Sequence, residues 1–165
     1  MRRIRKFGEE ILRKKSSPVD NIDGKIHELI KSMKETLLYV KGVGLSAPQV
    51  GVLKRIFIFY DKEKEILGTI INPEIVEEIS SYVDLEGCLS FPEIYFTIER
   101  PKITVIKGLN EDGKEIIIEG KELLSRCFQH EIDHLNGILI IDYAGEEEKR
   151  YYQDKIDKLI KNSKK

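Results

Sequence analysis

The six residues Gln129-His130-Glu131-Ile132-Asp133-His134 place two imidazoles four positions apart with a carboxylate between them. On a helix, positions i and i+4 share a face, so both histidines can hold one metal ion while Glu131 stands beside it. That is the geometry of metal-assisted hydrolysis. The ion lowers the pKa of a bound water toward about 7, and a carboxylate that is not a ligand takes its proton. The plain alternative is a solvated polar helix that spells the pattern by chance. Helical context argues against it: Leu123, Cys127, His130 and His134 recur on one face, and Asn136-Gly137 supplies a stop just past the second histidine.

A catalytic centre usually carries three protein ligands and one open position, so a third ligand is needed. Cys127 shares the histidines' face. A helix rises about 1.5 Å per residue, however, which sets Cys127 roughly 10 Å along the axis from His134, too far for both to meet one ion. Cys127 reads better as a buried apolar residue or a pocket wall. Cys88 lies in Glu86-Gly87-Cys88-Leu89-Ser90-Phe91-Pro92, where Gly87 permits close backbone approach and Pro92 punctuates the segment. It can reach the site from a separate strand or loop, or it is a buried structural thiol. A third segment, Gly42-Val43-Gly44-Leu45-Ser46-Ala47-Pro48-Gln49-Val50-Gly51, is too rich in glycine and proline for a regular helix and exposes backbone for pairing. Two of the chain's three glutamines, Gln49 and Gln129, fall in these segments. A carboxamide near the metal suits an oxyanion. Taken alone, the glycine-rich loop is also consistent with an ordinary turn between helix and strand.

The elements that must position these residues follow from periodicity. Ile22, Ile26, Leu29, Ile30, Met33, Leu37 and Val40 trace a helical stripe that begins after Ser17-Pro18-Val19-Asp20 and ends at Gly42; His27 lies off it, in solvent. Residues 55–60 and 66–71 are β-branched and aromatic runs joined by a turn at 61–65, a hairpin. Further strands are expected at 75–83, 95–98, 103–107 and 115–119, the last two connected through Asn110-Glu111-Asp112-Gly113. Strands precede the helix that carries the histidines, so the fold class is α+β, with antiparallel sheets around a central metal-binding helix. From Glu146 to Lys165 the chain forms a terminal helix, acidic in its first turn and basic in its last, with Tyr152, Ile156, Leu159 and Ile160 as its packing stripe.

At 165 residues the chain is the size of one domain with a core of its own, and we expect residues 1–165 to form one catalytic domain that includes the 146–165 helix. A formal net charge of −1 gives no global field for nucleic acid or membrane binding. The basic start Met1-Arg2-Arg3-Ile4-Arg5 has no apolar run behind it, and nothing approaches the roughly 18 apolar residues of a membrane span. A cytoplasmic, reducing location is expected, one that suits a thiolate ligand.

Together and in this order, the three segments resemble the peptide deformylases, whose motifs are a G-x-G-x-S/A-A-x-Q loop, an E-G-C-L-S segment and a Q-H-E-x-D-H helix. All defining residues are present here. The likeness runs from Ile4-Arg5 and Leu12-Arg13 through Gly137 to the terminal helix. It implies removal of the N-formyl group from N-formylmethionyl peptides, with release of formate. By that resemblance Cys88, His130 and His134 bind Fe2+, which carries the attacking water, and Zn2+, Ni2+ or Co2+ can substitute. Glu131 deprotonates the water and returns the proton to the departing amine. Gln49, the Leu89 N–H and the metal stabilise the oxyanion. Val43, Gly44 and Gly87 are the implied backbone partners of an extended peptide, and Val43, Leu123, Cys127 and His130 the walls of a methionine pocket.

Two positions depart from the family pattern. Arg126 stands where members are often apolar, so either its stem lines the pocket with the head in water or the pocket is altered. Tyr95 stands where some members place an arginine that meets the substrate backbone. The terminal helix is similar in position and charge to one associated with ribosome docking in some bacterial deformylases, although a lysine-rich face is more often a solubility feature. A metallopeptidase of the H-E-x-x-H type remains a rival reading, with Asp142, Glu146 or Asp154 as its third ligand. A non-catalytic metal- or ribosome-binding protein is another, and in it Glu131 would be dispensable.

Overall fold

The computed structural model describes residues 1–165. After a short 3-10 turn at Glu10–Arg13, helix α1 runs over Gly24–Val40. Asp23 caps it by accepting from the Ile26 N–H at 3.1 Å, so the helix starts after Asp23 rather than at the earlier Asp20. Lys41 ends it in the left-handed conformation. Five strands then build one antiparallel sheet in the order β1-β2-β3-β6-β7. These are β1 (Gly44–Ser46), β2 (Ile56–Asp61), β3 (Ile66–Ile79), β6 (Ile103–Leu109) and β7 (Glu115–Lys121). A separate antiparallel pair comprises β4 (Tyr82–Cys88) and β5 (Phe91–Arg100). Helix α2 (Leu123–Leu135), a 3-10 turn at Ile140–Tyr143, α3 (Glu146–Tyr151) and α4 (Gln153–Ser163) complete the chain. The α+β class with antiparallel sheets and a helical end is as expected.

Alternation along β2 explains how the sheet sits between two helices. Successive strand residues point to opposite faces. Ile56 and Ile58 join the cluster of Ile26, Leu29, Ile30, Met33 and Leu37 from α1. Phe57 and Phe59 join Cys127, Phe128, Ile132 and Leu135 from α2 on the other face. Phe128 meets Phe59 edge-on at 5.1 Å between ring centroids, a favoured aromatic geometry. A Cβ on Gly120 would stand 2.7 Å from the Phe128 ring, so glycine there lets α2 lie close on β7. A third cluster combines Leu12, Phe91, Ile94, Phe96, Ile98 and Ile156, with Tyr152, Leu159 and Ile160 packed against it. The terminal stripe therefore covers the β4–β5 pair.

The expected hairpin 55–60/66–71 is present as β2 and β3, in the register Ile56↔Ile71 through Asp61↔Ile66. The strand expected at 75–83 is not one element. Its first half continues β3 after register shifts between Ile71 and Glu74 and between Ile75 and Glu77, with Asn72 at φ 53°. Ser80, at φ 58°, then turns the chain so that residues from Tyr82 onward pair with β5 instead. β-Branched residues continue across both segments, so periodicity alone cannot reveal the turn. The terminal helix is also interrupted, at Tyr152 (φ −99°, ψ 10°), between α3 and α4. Residues Gly44–Ser46, within the glycine-rich loop, form an edge strand on β2.

Candidate metal centre

Helix α2 brings His130 and His134 onto one face, with ring centroids 4.9 Å apart. Cys88 arrives at the end of β4, where the register of the β4–β5 pair shifts between Gly87 and Cys88. That irregularity re-aims the side chain. The result is a convergence of one sulfur and two ring nitrogens, all within 4.8 Å of one another. Cys88 Sγ and His134 Nε2 stand 3.3 Å apart. His130 Nδ1 lies 2.7 Å from Glu86 Oε2, which leaves Nε2 for the cluster. A carboxylate behind a metal-binding imidazole fixes its tautomer and ring orientation.

Glu86 is itself held by two arginines besides His130. Arg100 donates through Nε and Nη2 at 3.0 and 2.7 Å, and Arg126 through Nη1 at 3.1 Å. Burial opposes the charged carboxylate, yet the hydrogen bonds from His130 and Arg100 carry its pKa down to about 2. Arg100 continues to Asp133 Oδ2 at 2.7 Å, which also accepts from the Tyr143 hydroxyl at 2.6 Å. Of the two arrangements offered for Arg126, the one with its head in water is not found, although the residue does line the cavity. The residue is 3% exposed, donates to the Ile98 and Tyr82 carbonyls at 2.9 and 3.3 Å, and lies over the Tyr82 ring. The carboxylate and carbonyls behind α2 replace the hydration its charge would otherwise need.

Glu131 is 3% exposed, and its Oε1 has no hydrogen-bond partner. Burial pushes its pKa up to about 7, near the range in which a carboxylate exchanges protons at neutral pH. Burial also drives His134 well down. His130 is driven the other way: burial opposes its charged form, but Cys88 and Glu131 outweigh it. A sulfur and carboxylates around two imidazoles attract a cation, and the soft–borderline S/N donor set suits a first-row transition metal. The residues present therefore fit a metal ion held by Cys88, His130 and His134.

Gln49 stands at the cluster's edge in a 3-10 turn, Ala47–Val50. Its Oε1 accepts from the Ser46 N–H and hydroxyl, both at 3.0 Å. The amide is thereby turned so that Nε2 faces Ser90 Oγ at 3.1 Å and Cys88 Sγ at 3.7 Å. Gln129, by contrast, points away, donating to Glu78 and Thr104. A cavity of about 500 Å³ opens beside the cluster, and Val43, Gly44, Gln49, Gly87, Cys88, Leu89, Leu123, Cys127, His130 and Glu131 all line it. His134 is 1% exposed and forms the buried side of the cluster.

At two of the wall glycines an added side chain would collide with its neighbours. A Cβ on Gly44 would meet Cys127 Sγ at 2.6 Å and Glu131 Oε2 at 2.7 Å, and one on Gly87 would meet the Tyr95 ring at 2.7 Å. Tyr95 pairs with Gly87 across the strands and joins the cavity wall. Burial raises the Cys127 thiol pKa well above its ordinary value, so this sulfur is a wall group and not a thiolate. Asp142, offered by the peptidase reading, is engaged by Arg13 at 2.7 Å and by the Leu139 N–H. Sequence reasoning missed the positioning groups Glu86, Arg100, Asp133, Ser46 and Ser90. Four of them, Ser46, Glu86, Ser90 and Asp133, lie inside the three motif segments, and only Arg100 stands outside them.

A half-buried sulfur and two buried imidazoles beside an unpaired carboxylate define a candidate metallohydrolase centre on an α+β frame. Comparison with known proteins agrees with that class. The family model described as polypeptide deformylase matches residues 1–150. The chain is 49% identical over 148 residues to peptide deformylase 1 of Clostridium acetobutylicum, covering 90% of this chain and 97% of the relative. It is 50% identical over 142 residues to the peptide deformylase of Alkaliphilus metalliredigens, covering 86% and 95%. The fold superimposes on the crystal structure of peptide deformylase from Thermus thermophilus with a TM-score of 0.92 at 31% identity, over 99% of each chain. The chain belongs to the polypeptide deformylase family.

Proposed function

We propose that the chain removes the formyl group from the amino terminus of N-formylmethionyl peptides, releasing formate. The observation that carries this reading is the unpaired, buried Glu131 carboxylate beside the Cys88, His130 and His134 cluster at the wall of a peptide-sized cavity. A metal ion held by those three residues would supply Lewis acidity, polarising the formyl oxygen and acidifying a water. Glu131 takes a proton from the attacking water as general base. The oxygen adds to the formyl carbon, and the Gln49 amide and Leu89 N–H donate to the oxyanion that develops. Glu131 then gives its proton to the departing nitrogen, and the C–N bond breaks to free the peptide's amine and formate.

The finer assignments belong to the same proposal. Fe2+ is the resident metal we favour from the family resemblance, with Zn2+, Ni2+ or Co2+ as substitutes. Val43, Gly44 and Gly87 present backbone to the peptide, and Leu123 and Cys127 wall the methionine side chain. Residues 1–165 act as one catalytic domain, supported by the packing of Tyr152, Ile156, Leu159 and Ile160 against the β4–β5 cluster. No helix is long and apolar enough to cross a membrane. A cytoplasmic location with the lysine-bearing face of α4 turned to the ribosome fits this activity. The direct test is formate release from a formyl-methionyl dipeptide by protein purified without oxygen; absence of release by protein with bound metal would contradict it.

A further inference from the structure

The amino-terminal segment straps the outer side of the cluster. Arg5 N–H donates to the Gln49 carbonyl at 2.7 Å and Phe7 N–H to the Ser90 carbonyl at 2.9 Å. The Phe7 ring stacks on Phe91 at 4.7 Å between centroids. Between these anchors lies Lys6, half-buried, whose ammonium donates to the Leu89 carbonyl at 3.3 Å. No carboxylate pairs with that ammonium; Glu9 instead receives the Lys6 backbone N–H at 2.6 Å.

The Leu89 carbonyl belongs to the peptide unit whose N–H is that of Ser90. That N–H donates to Cys88 Sγ at 3.4 Å. One amide therefore separates a positive charge from the sulfur. A cation at the carbonyl end of a peptide draws electron density toward oxygen and makes its N–H a stronger donor, because linked hydrogen bonds polarise one another. Hydrogen bonds to a ligand sulfur in turn tune the metal it binds.

We propose that Lys6 is a positioning residue that polarises the Leu89–Ser90 peptide and thereby strengthens the N–H···S hydrogen bond to the metal-binding thiolate of Cys88. This inference rests on Cys88 being a metal ligand. It assigns the basic amino-terminal strap an electronic role beyond packing: lowering the energy of the sulfur lone pairs, and so the electron donation of the thiolate to the ion.

The test uses cobalt(II)-loaded full-length protein and the near-ultraviolet sulfur-to-cobalt charge-transfer band. Lys6→Met keeps the aliphatic stem and removes the charge, and its band moves to longer wavelength because the sulfur lone pairs rise in energy. Lys6→Arg retains the cation and returns the band toward the wild-type position. Phe7→Leu loosens the same strap without touching the charge, so it lowers the melting temperature while leaving the band in place. An unmoved band in Lys6→Met overturns the inference, as does an equal shift in Phe7→Leu, which would trace the effect to strap placement. A wild-type protein that binds cobalt with no such band overturns the thiolate ligand, and this inference with it.

Discussion

Glu86 and His130, 44 positions apart in the chain, meet at 2.7 Å between Oε2 and Nδ1, and this contact sets the imidazole against the cluster. Two arginines hold the same carboxylate from behind. We predict that Glu86→Gln destabilises the fold by about 3–5 kcal/mol, because Arg100 and Arg126 lose a fully buried counter-charge. Metal affinity should fall about 10- to 100-fold, the usual cost of losing a group that orients a ligand. Urea denaturation and competition with a chelator measure the two effects. Unchanged metal affinity would show that His130 is oriented without Glu86.

Gly44 marks the point where strand β1 touches the face of α2 that carries Cys127 and Glu131. Gly44→Ala should cost about 1–3 kcal/mol by overpacking and lower turnover by displacing Glu131. Pairing it with Cys127→Ala removes the nearer of the two clashing atoms, so the double variant should recover stability more fully than activity. Thermal melts beside formate release decide this, and full recovery of activity would mean that the Glu131 clash is relieved without consequence.

The terminal helix should show two separable roles. Ile156 is 5% exposed beneath it, and Ile156→Ala should lose about 2–5 kcal/mol. Lys155, whose ion pair with Glu93 is exposed, should change stability little when replaced by glutamine together with Lys158 and Lys161. As a hypothesis, the triple glutamine variant weakens ribosome association in a salt-dependent way and leaves hydrolysis of a small formyl peptide intact. Co-sedimentation at two salt concentrations is the check. Undiminished pelleting would leave the helix as a structural cover.

The residues of the cluster were legible in the sequence because helical spacing and motif order reveal them without any knowledge of the sheet. Cys88 needed the resemblance, since no local pattern distinguishes a ligand thiol from a buried one. What sets the ligands in place was hidden for a physical reason. Glu86, Arg100 and Arg126 lie on three elements, β4, β5 and α2, and meet through the β4–β5 pairing and the packing of α2 against it. The Ser80 turn was equally hidden, because β-branched residues occur on both sides of it, at Ile75, Val76 and Ile79 before and Val83 after. Arg126 stayed open between a head in water and an altered pocket for the same cause, because its buried acceptors on β4 and β5 are not local in sequence.

In the proposed mechanism Glu131 moves protons while Cys88, His130 and His134 hold the ion, and these two jobs come apart in one experiment. Bound metal per chain is measured alongside formate release from formyl-methionyl peptide, for wild type, Glu131→Ala and His134→Ala purified without oxygen. We predict that Glu131→Ala retains metal near the wild-type level and loses turnover by about 10²-fold or more, while His134→Ala loses both. A Glu131→Ala enzyme that keeps its metal and hydrolyses formyl peptide at the wild-type rate would contradict this division of roles.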